Sequence, residues 1–183
     1  SIRANKTWDL VDLPKNRRAL PCKWVYRLKE MSDSTTLKYK PRLVAKGFRQ
    51  QYGVDFDEIF SPVVKMTTLH FMLGVVAADN LERIQLDVKT AFLHRDLLEE
   101  IYMEQPKGFM ATSQEHLVCR LRKSLYGLKQ APQQWYKMFD DFIQSVGFSK
   151  IDEDHCLFTK TAQDDSPVFL IIYMEDMLLS DRH

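Results

Sequence analysis

No run of about 18 apolar residues occurs anywhere in the 183-residue sequence, so no segment reads as a membrane-spanning helix. The start, Ser1 to Lys6, is polar, and without an apolar core it is no secretory signal peptide. It also lacks an initiator Met, from which a fragment or a processed product is expected. Paired cysteines are missing. Cys22, Cys119 and Cys156 are odd in number and far apart, whereas a zinc site needs pairs two to four residues apart. They are expected to be reduced, half-buried thiols of an intracellular protein. There is no internal repeat and no low-complexity tract. Nor is there an excess of one charge: 26 Lys and Arg face 25 Asp and Glu, a net +1 that by itself argues weakly against a nucleic-acid binder.

What is present is a soluble, globular composition, 45% hydrophobic and 28% charged, of a length that suits one large domain or two small lobes. The charge is unevenly placed. Residues 15–49 hold eleven Lys or Arg against Glu30 and Asp33, a local balance of +9. The compensating acids come later, at Asp55, Asp57, Glu58, Glu99, Glu100 and the Asp152–Asp154 run. A basic front lobe is what phosphate binding needs, and equally what a solvated basic face looks like.

Cys22–Leu28 reads as a strand, Ser32-Asp33-Ser34 as a turn and Arg42–Phe48 as a second strand, together a basic hairpin. Gln51–Pro62 is loop-like. Thr67–Asp79 has helical period, with Leu69, Met72, Leu73, Val76 and Ala77 on one face and Thr67 as cap. Ile84–Val88 and Leu117–Leu121 alternate as strands do. After Pro132, the residues Trp135, Met138, Phe139, Phe142, Ile143 and Val146 predict a helix that Gly147 ends, with these side chains as core. Cys156–Lys160 and Pro167–Tyr173 are strands. The continuously apolar Val168–Tyr173 should be central, with Met177–Leu179 returning as its partner. Strands and helices interleave without regular βαβ alternation, which predicts an α+β fold.

Two sets of acids sit where apolar patterning predicts strand. Asp87 lies within Ile84–Val88, and Glu175 and Asp176 follow the apolar strand directly. A charge among strongly apolar strands is costly unless it is paired, bound to metal or at a solvated hairpin tip. Three carboxylates from two adjacent strands are the minimum for holding two Mg²⁺ ions about 3.5–4 Å apart, the arrangement of polymerases and nucleases. No histidine adjoins them, which fits a hard, oxygen-only ion. Spacing alone leaves polymerase and nuclease both open.

Eight stretches then carry a resemblance. They are Trp8–Val11, Cys22–Tyr26, Tyr39–Phe48, Phe60–Val63, Asp87–Leu93, Tyr102–Pro106, Leu125–Pro132 and Tyr173–Asp176. In this order they resemble the copia-type retrotransposon reverse transcriptases over nearly the whole chain. The resemblance implies a right-handed polymerase: fingers about 1–62 and 95–130, palm about 63–94 and 131–183, an antiparallel palm sheet packed on helices, and no thumb. It implies an RNA-directed DNA polymerase with two Mg²⁺ ions (Mn²⁺ as substitute) held by Asp87, Glu175 and Asp176. Phe92 matches the aromatic that excludes a ribose 2′-hydroxyl. Lys40, Arg42 and Lys46 are each candidates for clamping the triphosphate. Gly127, Gln130 and Pro132 match the loop-to-helix turn beside nucleotide and template. Implied partners are template–primer, deoxynucleoside triphosphates and the remaining Pol domains, with no membrane. Localisation, by analogy, is in cytoplasmic virus-like particles.

The sequence departs from that family at three functional positions. Glu175 stands where the family has aspartate, and its extra methylene moves the carboxylate by about 1–1.5 Å in a site that tolerates about 0.5 Å. Arg95 stands where a tight turn usually has glycine, so strain is expected there if φ is positive. Gln133 replaces an arginine. The chain stops at His183, before the family's primer-gripping turn, thumb and ribonuclease H domain. An impaired polymerase is therefore expected, or alternatively an inactive remnant with at most weak nucleic-acid binding. A two-metal nuclease would share the acids but not the basic hairpin or the Leu125–Pro132 turn.

Overall fold

The computed structural model describes residues 5–30, 37–110 and 112–182. In chain order the elements are β1 (Trp8–Val11), β2 (Ala19–Leu20), β3 (Cys22–Glu30), β4 (Leu37–Ala45), α1 (Met66–Ala78), β5 (Glu82–Asp87), β6 (Tyr102–Met103), β7 (Val118–Leu121), α2 (Ala131–Ser145), β8 (Ser149–Ile151), β9 (Asp154–Thr161), β10 (Pro167–Tyr173) and β11 (Asp176–Asp181). Short 3₁₀ turns cover Gly47–Arg49 and Ala91–Leu93. The fold is α+β, as the interleaving predicts. The expected turn at Ser32–Ser34 lies outside the described residues. None of the described helices is long and apolar enough to cross a membrane.

The chain divides into two compact units, residues 1–59 with 92–134, and residues 60–91 with 135–183. The first holds a four-stranded sheet, β1-β7-β6-β2, and the separate two-stranded hairpin β3-β4. Its core gathers Leu20, Leu43, Ile101, Met103, Cys119, Leu121, Leu125 and Leu128, all buried. β4 ends at Ala45, short of the expected Phe48, because the chain turns into the 3₁₀ segment at Gly47. That turn needs glycine: a Cβ on Gly47 would sit 1.8 Å from the Gly127 carbonyl oxygen.

The second unit is one antiparallel sheet, β5-β11-β10-β9-β8, with α1 and α2. β10 is the middle strand, and Val168, Leu170, Ile171 and Ile172 are buried, so its apolar run is largely covered on both faces as far as Ile172, while Tyr173 at its end is exposed. On α2 the residues at four-residue spacing, Trp135, Phe139 and Ile143, are buried, and Phe139 meets Phe158 of β9 edge-on at 5.6 Å. Phe142 and Val146, expected in the core, are exposed, because the buried stripe is narrower than the apolar one.

Three local expectations change. Thr67 does not cap α1; the cap position is Lys65 and no side chain of its own closes the helix. The carboxylate of Asp154 supplies what is missing. It accepts the Lys65 N–H at 2.9 Å and the Cys156 N–H at 3.0 Å. Asp154 is thus buried, not one of the surface acids that balance the basic lobe. Burial pulls its pKa up, but the two backbone donors and the Thr68 hydroxyl outweigh burial and leave it below the usual 3.8. Arg95 is not among the residues with positive φ, so the expected strain is absent there; among the described residues seven other non-glycines take positive φ, Thr90 (φ 57°) and Met174 (φ 56°) among them. All three cysteines are free thiols, and burial pushes Cys119 and Cys156 up to about 12.

Candidate functional site

The acids come together in the second unit through strand register. β10 and β11 pair with Tyr173 opposite Asp176, leaving Met174 and Glu175 as a two-residue hairpin loop. Such loops favour a positive φ at their first residue, where glycine is the usual choice. Met174 takes that conformation without being glycine, at a cost on the order of 1 kcal/mol. Two bonds hold the loop in place. The buried Trp135 indole N–H donates to the Met174 carbonyl at 2.8 Å, and the Val88 N–H donates to the Glu175 carbonyl at 3.1 Å.

β5 pairs antiparallel with β11, which sets Asp87 directly opposite Asp176. The Val88–Glu175 bond on one side makes this a non-hydrogen-bonded pair, the kind in which side chains approach most closely. Like charges directly opposed destabilise a sheet. Nothing about folding calls for them here.

The burial cost expected of Asp87 does not arise. Asp87 ends an edge strand whose six residues are all exposed, so water solvates it. Asp176 is exposed and Glu175 half-buried. Among the described residues no three His, Cys, Asp or Glu side chains form a metal-holding group. Asp87 and Asp176 are brought together; Glu175, one residue away in the loop, is not gathered with them as a third ligand. Beside Asp176 lies an open, largely apolar cavity of about 370 Å³, lined by Tyr173, Leu178, Gln85 and the Met66 and Leu69 side chains of α1.

The remaining candidates lie in the first unit, around Tyr126. The Arg42 guanidinium stands 5.4 Å from the Tyr126 ring centre, and Phe92 meets the same ring edge-on at 4.8 Å. Arg42 Nε is buried and has no hydrogen-bond partner among the described residues. Phe92 is buried. Lys40 shares the hairpin face of Arg42, since Arg42 pairs with Val25 and Lys40 with Arg27. Lys46 follows β4, and its N–H donates to the Pro21 carbonyl at 2.8 Å.

Gly127 (φ 90°) permits a close backbone approach, made with the chain itself. A Cβ there would lie 2.2 Å from the Ala45 carbonyl oxygen, while the Ala45 N–H donates to the Tyr126 carbonyl at 2.8 Å. Gln130 is fully buried. Its amide accepts from Gln50 Nε2 at 2.9 Å and donates to the Asp55 carbonyl at 3.0 Å. Gln133 is buried too.

Sequence reading gave no site role to Tyr126, placed Trp135 only in the core of α2 and counted Asp154 only among the acids balancing the basic lobe. The signal for Trp135 was present: a buried indole N–H needs an acceptor, and none is local. Tyr126 beside Gly127 was legible as part of a motif, but its two ring partners come from distant segments.

Comparison with known proteins gives the following. Residues 5–183 match the family model described as reverse transcriptase (RNA-dependent DNA polymerase). The chain is 54% identical over 179 residues to the retrovirus-related Pol polyprotein from transposon TNT 1-94 of Nicotiana tabacum, covering 98% of this chain and 14% of that protein. It is 41% identical over 177 residues to the corresponding polyprotein from transposon RE1 of Arabidopsis thaliana, covering 96% and 12%. With the transposon Ty1-DR4 Gag-Pol polyprotein of Saccharomyces cerevisiae it shares 27% over 179 residues, covering 97% and 11%. The chain thus spans about one seventh or less of the length of these relatives. No solved structure matches it.

Proposed function

The chain belongs to the reverse transcriptase family, and from that premise we propose that it is the RNA-directed DNA polymerase domain of a retrotransposon Pol polyprotein, impaired at Glu175. The first unit is read as fingers and the second as palm. The basic β3-β4 hairpin in one and the acid-bearing antiparallel sheet in the other support this reading.

The observation that carries it is the Asp87–Asp176 pair. Two carboxylates set opposite each other cost stability unless a cation lies between them. Two carboxylates, with substrate phosphates and water as the other ligands, are also the donor set that suits Mg²⁺. When bound there, the ion supplies Lewis-acid neutralisation of phosphate charge and a more acidic primer hydroxyl. The reaction joins the primer 3′-oxygen to the α-phosphorus and breaks the bond from that phosphorus to the bridging oxygen, releasing pyrophosphate.

This chain's residues act by position. Asp87 and Asp176 hold charge at the reacting end of the substrate. Arg42, with its unpartnered Nε, is the best supported of the three cations for the triphosphate, because Tyr126 fixes its plane. Phe92, held edge-on by Tyr126, is the residue that would meet a ribose 2′-hydroxyl. Gln130 acts indirectly, by bracing the turn that carries Tyr126 and Gly127. Because both loop carbonyls are tied down, the backbone at Glu175 cannot retract to absorb the extra methylene.

Primer extension on an RNA template, with Mg²⁺ and then Mn²⁺, tests the reading. Glu175→Asp should extend faster than the parent, and Asp87→Asn in that background should abolish the gain. No gain from Glu175→Asp, together with no loss from Asp87→Asn, would sink it. The second reading, an inactive remnant, is favoured by the lack of a three-ligand group among the described residues. It predicts no extension by either protein, with salt-sensitive primer–template binding retained.

A further inference from the structure

Helix α1 is apolar on two sides, and the fold uses one of them. Met66–Ala78 contains no Asp, Glu, Lys or Arg. On one side Met72 and Val76 are buried, with Leu69 and Leu73 half-buried beside them. The outer face of such a helix ordinarily carries charged and polar residues. Here it carries Thr67, Phe71, Gly74 and Ala78, at spacings of four, three and four, and all four are exposed. Phe71 is 70% exposed. That spacing is the seam along which one helix packs on another.

Gly74 adds an independent sign. A glycine in mid-helix weakens the helix. A Cβ at Gly74 would meet nothing within 4 Å, so the chain's own packing does not call for glycine there. What glycine provides is a flat spot on the outer face where another backbone can come close.

We propose that this seam is a homodimer interface, with α1 packed antiparallel against α1 of a second copy. Shape and charge both select that occupant. About a twofold axis midway between Phe71 and Gly74, Phe71 of each copy lies over Gly74 of the other, and Thr67 over Ala78. The knob and the hole are thus on the same helix, as a self-complementary interface requires. The uncharged helix is flanked by Lys65 at its N-cap position and Asp79 at its C-cap position. In the antiparallel arrangement each Lys65 falls within one residue of the second copy's Asp79. A parallel arrangement would set like charges together. The Lys65 ammonium donates to the Glu153 carbonyl at 2.6 Å and has two further donors to offer. Opposed helix dipoles favour the same orientation.

The test is sedimentation velocity of the full chain in EDTA without nucleic acid, so the polymerase reading does not enter. A series across about 1–100 μM spans modest affinities. The parent should dimerise reversibly. Phe71→Ala should raise the dimer dissociation constant at least about tenfold. Gly74→Gln should weaken the dimer as well, because a long side chain holds the two helices apart. Its thermal midpoint in dilute solution should be unchanged or higher, since glutamine is the better helix former. Asp79→Lys should weaken the dimer by placing like charges together, and adding Lys65→Glu should restore it. A parent that stays monomeric throughout the series would overturn the proposal. So would a dimer indifferent to both Phe71→Ala and Gly74→Gln, which would lie on another surface. A charge-swapped double variant that dimerises no better than Asp79→Lys would overturn the antiparallel arrangement, and the proposal with it.

Discussion

The β10-β11 hairpin and the β3-β4 hairpin share a topology and differ in what surrounds them. β10 is the middle strand of five, buried along its apolar run, and its loop is held by Trp135 and Val88. β3 and β4 form a two-stranded sheet of their own, joined at its base to Tyr126 through a bridge from Val44, and their outer half is exposed on the apolar face. A two-stranded ribbon without such cover is marginal in water. The first arrangement suits groups that must be placed to within a fraction of an ångström. The second suits a surface that adapts to a ligand, since few buried contacts hold it. The same antiparallel pairing therefore yields a rigid frame or a pliable arm, depending on neighbouring strands.

The largest expected effect strikes the rigid hairpin. In the Glu175→Asp background, Asp87→Asn should lower the extension rate by about 10³-fold, the equivalent of about 4 kcal/mol. It should leave urea stability unchanged or slightly higher, because it also removes a like-charge pair. A loss of stability matching the loss of rate would mean that Asp87 is structural.

Next comes the seat of the pliable arm. Gly127→Ala should cost roughly 2–4 kcal/mol in urea unfolding, since its Cβ would meet the Ala45 carbonyl in a conformation that already disfavours a side chain. A neutral result would show that β4 is not seated on this turn.

Asp154 braces α1 against the sheet that holds the rigid hairpin. Asp154→Asn should cost about 2 kcal/mol at pH 7. The folded pKa is depressed below 3.8, so the ionised form stabilises the fold above that value. Urea titrations from pH 7 downward should show the gap between parent and variant closing as pH falls through the folded pKa. A gap independent of pH would remove the charge from the account.

The smallest effect has the opposite sign. Met174→Gly should stabilise the protein by about 0.5–1 kcal/mol, read as a higher thermal midpoint, by relieving the left-handed conformation. A decrease would show that the Met174 side chain, not the turn, holds the loop.

Much of this was legible before folding. The aromatic and apolar richness of Cys22–Leu28, with a second strand at Arg42–Phe48, marked the basic hairpin, although β4 lies at Leu37–Ala45, and the run Val168–Tyr173 marked a central strand. The eight stretches marked the family, which the match over residues 5–183 bears out. The misses have common physical causes. Thr67 looked like a cap because local reading cannot see the Asp154 carboxylate, 89 residues beyond the cap position Lys65. Phe142 and Val146 looked buried because period reports a face, not how much of it a neighbour covers. Asp87 looked costly because its strand's apolar pattern does not reveal that β5 lies at an edge.

By itself the sequence determined the family, the α+β class and the identity of the charged and aromatic side chains, because these depend on residue type and spacing along one chain. Only the tertiary structure decided that Asp87 faces Asp176, that Tyr126 stands between Arg42 and Phe92, and that Tyr26 and Tyr39 are left to water. Each depends on strand register, on a contact between distant segments, or on where a covering neighbour stops.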